Sequence, residues 1–151
     1  MTQLCRLIYR SKTSWDILTN DLLRKLAADS ASRNEEKEIT EILLLSDESF
    51  LQVLEGAEDT VNALYGKIVQ DELHSDVTLI SYEQIANKSF DGWSMRVLDL
   101  NDLPESTREV FILKYKDTEG YIDIPNDVPN AMALLLDARA FCLSEAEAEA
   151  G

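Results

Sequence analysis

Apolar positions along the chain alternate between two periods, and the order of those periods predicts the fold. Leu4-Cys5-Arg6-Leu7-Ile8-Tyr9 is apolar apart from one arginine, the pattern of a strand buried on both faces. Ser14 or Asp16 offers an N-cap, and Ile17, Leu18, Leu22, Leu23 and Leu26 recur at helical spacing, predicting a first helix that ends near Ala28. The polar stretch from Ser30 through Lys37 reads as a loop. Ile39 to Leu45 and Phe50 to Leu54 read as the second and third strands, joined by a hairpin turn at Asp47-Glu48-Ser49 that lacks the usual glycine. Gly56 ends the third strand, and Val61, Leu64, Tyr65 and Ile68 mark a second helix. Val77 to Ser81 and Trp93 to Leu98 complete the strands. The order β-α-β-β-α-β-β predicts an α+β, ferredoxin-like fold: a five-stranded mixed sheet with two helices on one face.

The other sheet face also needs a cover. Leu103 to Tyr115 and Ala131 to Leu143 carry helical apolar patterns, with Pro125 and Pro129 between them. They predict a C-terminal helical appendage, packed on that face or on a partner. The tail from Ser144 to Gly151 alternates Glu and Ala and reads as frayed and disordered. The expected organisation is therefore a sheet domain over residues 1–98, a helical extension over 99–143 and a tail over 144–151.

Composition narrows the partners. A chain of 151 residues, 45% hydrophobic, suits one domain with a real core. Its formal charge of -15 argues against a nucleic-acid surface and against an anionic membrane, both of which need clustered Lys and Arg. The first residues lack the apolar core of a signal peptide, and no apolar run approaches bilayer length, so a cytoplasmic protein is expected. Cys5 and Cys142 lie far apart with no CxxC, which suggests neither zinc nor a disulfide framework.

Candidate chemistry begins at Gln52. An amide in the apolar run Phe50-Leu51-Gln52-Val53-Leu54-Glu55-Gly56 must find partners, since leaving it buried and unpaired costs about 1–3 kcal/mol. Those partners are either a neighbouring protein group or a bound ligand. First and third strands are neighbours in a ferredoxin-like sheet, which brings Tyr9 within reach of Gln52. A phenol and an amide can exchange donor and acceptor roles, because the amide offers NH₂ at one end and C=O at the other. Asn34, and the run Trp93-Ser94-Met95, also look out of place for a simple core. Each has a plainer reading: Tyr9 as a sheet-end tyrosine, Asn34 as a turn residue or cap, Trp93 and Met95 as core. Lys67 and Asp71 suit an exposed helical ion pair worth about 0.3–0.5 kcal/mol, and His74 suits a surface or capping position.

Taken together, Leu7-Ile8-Tyr9-Arg10-Ser11, Asn34 with Ile39-Thr40, the Phe50–Gly56 run, Asp71 with His74, and Phe90-Asp91-Gly92-Trp93-Ser94-Met95 resemble the BLUF domain, a blue-light sensor that uses flavin. The resemblance covers roughly Leu4 to Leu98. Asn101-Asp102-Leu103 and Leu113-Lys114-Tyr115 further resemble the short single-domain BLUF photoreceptors of the cyanobacterial PixD type. The resemblance implies a flavin (FAD, with FMN as the alternative) held between the two helices beside Tyr9 and Gln52, which form the photoactive pair. It implies Asn34 at the pyrimidine edge, Leu26 and Ile68 on the ring faces, Asp71 at the ribityl chain, Lys67 at a phosphate, His74 in the cofactor site, and Trp93 and Met95 as the signal relay. Which of those two faces the flavin depends on strand register. It also implies homo-oligomers, a response-regulator-like protein partner and no enzymatic turnover.

Four residues depart from the family pattern. Arg33 stands where Asn or His is usual, Glu38 and Glu41 where glycine is usual, and Lys67 where Arg is usual. A carboxylate facing the pocket would make its own burial unfavourable. These departures motivate an alternative: a flavin-poor, BLUF-like interaction module without photochemistry. A hydrolase finds little support, because the single histidine has no clustered nucleophile and base around it.

Overall fold

The computed structural model describes residues 3–91, 95–115 and 120–150, with side chains described as far as residue 145. Five strands, β1 (Leu4–Lys12), β2 (Thr40–Ser46), β3 (Ser49–Ala57), β4 (Ser75–Gln84) and β5 (Arg96–Asp99), form one sheet in the order β4-β1-β3-β2-β5. All neighbours are antiparallel except β2 and β5, which run parallel. Helices α1 (Asn20–Lys37) and α2 (Glu58–Gln70) follow β1 and β3; α3 (Glu105–Tyr115) and α4 (Val128–Ala150) close the chain after a short 3₁₀ turn at Leu100–Asp102. The ferredoxin-like α+β architecture expected from the sequence is the one observed.

Strand alternation sorts the core into two layers. Leu7, Tyr9 and Leu54 face the α2 side together with Val61 and Leu64, while Leu43, Leu45 and Phe50 pack beside them with Leu18 and Leu73. Their neighbours Ile8, Ile42, Leu44, Leu51 and Val53 face the other way, against Phe111, Ala131, Leu134 and Leu135 of the C-terminal helices. The appendage thus covers the second face of the same sheet. It is also held by polar ties: Arg10 donates to the Ile124 carbonyl at 2.5 Å and to Asn126 Oδ1 at 2.6 Å, and the Ser46 hydroxyl donates to the Ile122 carbonyl.

Three local expectations need correction. The first helix begins later, with Thr19 as N-cap accepting from the Leu22 amide at 3.1 Å, and it runs through Lys37. The polar stretch from Ser30 is therefore its last two turns, and Asn34 lies on a helix rather than in a loop. Ala, Arg, Glu and Lys in that stretch are good helix formers even without an apolar stripe. Finally, α4 continues to Ala150, where a frayed tail was expected; alternating Glu and Ala have high helix propensity.

Two acidic residues take the place of turn glycines. Asp47, at φ 51°, turns the tight β2–β3 hairpin, and Glu38, at φ 58°, ends α1 while its amide reaches the carbonyls of Asn34 and Glu35. A left-handed residue with a Cβ is strained there, and glycine is the common solution. Glu38→Gly is expected to raise stability by about 1 kcal/mol, the strain relieved slightly exceeding the added chain entropy. A urea midpoint that is unchanged or lower in the variant would refute it.

Candidate functional site

The β1–β3 register places Tyr9 directly opposite Gln52, on the face covered by α1 and α2. Both are buried, Tyr9 fully and Gln52 to 4% exposure. The Tyr9 hydroxyl donates to Gln52 Oε1. Burial, with Glu41 adding to it, holds the Tyr9 phenol well above its ordinary pKa, so it remains a neutral donor.

At its other end the Gln52 amide meets a carboxylate. Gln52 Nε2 donates to Glu41 Oε1 at 3.1 Å, and Asn34 Nδ2 donates to Glu41 Oε2 at 2.5 Å. Arg33 Nη2 lies 3.9 Å from the same oxygen. Glu41 is 1% exposed, and burial raises its carboxyl from 4.5 to about 7, although the Asn34 hydrogen bond and the Arg33 charge both pull it down. A chain of side chains from three strands and one helix results: Tyr9, Gln52, Glu41, Asn34. Sequence reasoning named Glu41 only as a departure; nothing in the sequence showed that its carboxylate would join the two amides.

Above this chain a cleft opens between α1 and α2. Leu26 from α1, Leu64 and Ile68 from α2, and Leu43 from β2 give it apolar walls; Gln52, Arg33, Lys67, Asp71 and His74 supply polar groups. Half-buried Met95 lines it from the segment just before β5. Asn34 reaches the cleft's inner edge through Glu41. Every expected site residue is therefore in or beside this cleft except Trp93, which lies outside the described residues.

His74 is fixed rather than free. Its Nδ1 is 2.8 Å from the Ser11 hydroxyl, its ring packs against Tyr9 and Phe50, and burial lowers its pKa, partly offset by Asp71. Ser, His and Asp thus lie close together, but not as a hydrolytic set. Ser11 is fully buried and meets the Nδ1 edge, and Asp71 Oδ1 is occupied by the Leu73 amide. A nucleophile needs access to substrate and a base oriented behind it.

These positions fit a flavin in kind. Two apolar walls suit the faces of a flat ring system, amides suit its hydrogen-bonding edge, and a lysine suits a phosphate. Residues 4–96 match the family model of sensors of blue-light using FAD, BLUF. The chain belongs to the BLUF family. It is accordingly a flavin-binding blue-light sensor, and its Tyr9–Gln52 hydrogen bond is of the kind that BLUF photochemistry uses.

The relatives place this BLUF chain among both long and short proteins. It is 30% identical over 97 residues to the blue light- and temperature-regulated antirepressor BluF of Escherichia coli, covering 64% of this chain and 24% of that one. It is 28% identical over 96 residues to the photoactivated adenylate cyclase subunit beta of Euglena gracilis, of which it covers 11%. The chain thus spans about a quarter or less of these relatives' length. Among solved structures, Klebsiella pneumoniae BlrP1 with FMN and cyclic diGMP superposes at TM-score 0.63 with 37% identity, over 68% of this chain and 27% of that one. The BlsA ground state superposes at TM-score 0.73 over 90% of this chain and 87% of that one; at 24% identity this shows the fold. No helix among the described residues is long and apolar enough to cross a membrane.

Proposed function

We propose that Tyr9 and Gln52 are the photoactive pair, and that the change at Gln52 leaves the molecule through protein contacts. When bound, the flavin, FAD or FMN, supplies absorption of blue light and the capacity to accept an electron and a proton. Everything else falls to the chain. Tyr9 is the phenol that can yield both, because its O–H already points at Gln52 Oε1. Gln52 is the group that can answer, because its amide carries an acceptor at one end and a donor at the other and can turn over or tautomerise in place. The buried position excludes water from this exchange.

Leu26 and Ile68 would flank the ring, Asn34 would bond its edge, and Asp71, His74 and Lys67 would meet the ribityl and phosphate portions. Lys67 lacks the two-pronged guanidinium but keeps the charge. Met95, and Trp93 in the same sequence run, would carry the change towards β5. A second exit runs through Arg10, the residue after Tyr9, whose guanidinium ties β1 to the segment before α4. The reading extends to homo-oligomers and a response-regulator-like partner in the cytoplasm, with no turnover by this chain, residues 1–98 as the sensor and 99–143 as its output helices.

The observation that carries the proposal is the direct Tyr9–Gln52 hydrogen bond across neighbouring strands. Tyr9→Phe removes the hydroxyl and little else. Flavin should still bind, while the small, dark-reversible red shift produced by blue light in the parent protein should vanish. A Tyr9→Phe protein that shifts and recovers like the parent would refute the mechanism.

A further inference from the structure

Glu41 is one of the groups at this site that depart from the family pattern, and its geometry gives it a task. An ionised carboxylate accepts hydrogen bonds and donates none. Glu41 takes one from Asn34 at 2.5 Å and one from Gln52 at 3.1 Å, in a pocket where it is 1% exposed. Gln52 must therefore turn its NH₂ towards Glu41, which leaves its C=O for the Tyr9 hydroxyl. Reversing the amide would set carbonyl against carboxylate, two acceptors face to face, so the bond to Glu41 is lost; the NH₂ would then donate to the Tyr9 oxygen, and the Tyr9 O–H would lose its acceptor.

We propose that Glu41 is a positioning residue for the Gln52 amide: as a carboxylate it locks the carbonyl end on Tyr9, and on taking up a proton it releases that lock. The proton from solvent becomes a carboxyl O–H, which needs an acceptor. Gln52 Oε1 can provide one if the amide turns over, its NH₂ then donating to the Tyr9 oxygen. In that arrangement the Tyr9 O–H must be placed elsewhere, whereas in the original one the Glu41 O–H must be. The two orientations become comparable, and the photoactive pair is no longer preset.

The charged and titratable groups around Glu41 come from every element packed against it. Arg33 on α1 approaches to 3.9 Å, Lys67 lines the cleft from α2 and Asp71 from just beyond its end, His74 follows them, and Tyr9 lies beyond Gln52 on β1. Arg33 favours the carboxylate and burial favours the acid; the balance puts the carboxyl at about 7, within reach of ordinary changes in pH.

This inference deepens the proposed function and rests on it for its consequence in light, so its test has two independent arms. In the full chain as purified and kept dark, the side-chain amide of Gln52 is followed by ¹⁵N NMR across about two pH units either side of neutrality. A single step centred near 7 is expected, lost in Glu41→Gln. A flat Gln52 response overturns the proposal, as does a step that survives in Glu41→Gln, which would assign the titration to His74. A step in Asn34 with none in Gln52 overturns it too, since the proton would then be accommodated on the α1 side. Titrating the Glu41 carboxyl carbon directly in the unmodified chain keeps the test decisive should the variant fold poorly. In the second arm, the dark absorption maximum of bound flavin should move with pH in the parent and stay fixed in Glu41→Gln. A chain that takes up no flavin would sink the proposed function and leave the NMR arm to judge Glu41; a normal light response with a silent Gln52 would sink this inference alone.

Discussion

Glu55→Ala is expected to destabilise the protein by about 3 kcal/mol, the lower end of the range for breaking a buried ion pair from one side. Glu55 is fully buried and takes three hydrogen bonds: from Arg6 Nε at 2.8 Å, from the Ser89 amide at 3.0 Å and from the Phe90 amide at 2.8 Å. Alanine would leave a guanidinium that is 8% exposed with only the half-exposed Glu83 as a charged partner, 2.8 Å away, and would orphan two backbone donors. Glu83 and the Ser89 hydroxyl, which accepts from Arg6 Nη2 at 2.6 Å, keep the loss near the low end. Removing the charge on both sides, as in Arg6→Met with Glu55→Gln, should recover part of it. Equilibrium urea unfolding of the two variants against the parent decides the matter: a loss in Glu55→Ala below about 1 kcal/mol would show that the pair is dispensable.

The same network holds Ser89 and Phe90 onto β3 three residues from Gln52, and in the sequence they precede Met95 and β5. The sheet face carrying Glu55 is the one the C-terminal helices cover, so Gln52 and Glu55 lie on opposite faces of one strand.

Which parts of this were legible in the sequence follows from what each signal measures. Strand runs were readable because both faces of the central strands are buried, and continuous apolar runs such as Ile42–Leu45 follow from that. The second half of α1 was not, because it buries Ser30 and Asn34 rather than an apolar stripe; periodicity sees hydrophobes, and this helix turns polar groups towards a cleft. Its propensity, carried by Ala, Arg, Glu and Lys, was the available clue. Tyr9 and Gln52 could be paired in advance from strand adjacency. Once they are opposite each other, antiparallel register also sets Arg6 opposite Glu55, so that ion pair was latent in the same reasoning although Glu55 was not singled out. The partners of Glu41 were beyond reach, since they depend on how Asn34 descends from a helix whose end was misplaced.

Glu41 leads to the second large effect, on stability as a function of pH. Its carboxyl rises from 4.5 to about 7 on folding, so between those values the folded state holds a proton that the unfolded chain has released. Stability therefore falls as pH climbs through that window. The contribution is fully present below the unfolded value and lost by the time pH passes the folded one. A shift of this size corresponds to about 3 kcal/mol, and near-complete burial leaves little solvent screening to reduce it. Glu41→Gln keeps the shape, supplies an acceptor for the neighbouring amides and removes the titration. It should match the parent near pH 5 and exceed its stability by up to about 3 kcal/mol near pH 8. The difference between the two urea profiles isolates this one group among the chain's 29 acidic residues. Parallel profiles would mean that Glu41 stays ionised when folded at acidic pH, with Arg33 and the two amides outweighing burial. A site that tolerates a group this costly at neutral pH trades stability for chemistry, and the carboxylate's hold on the Gln52 amide is the chemistry it has to offer.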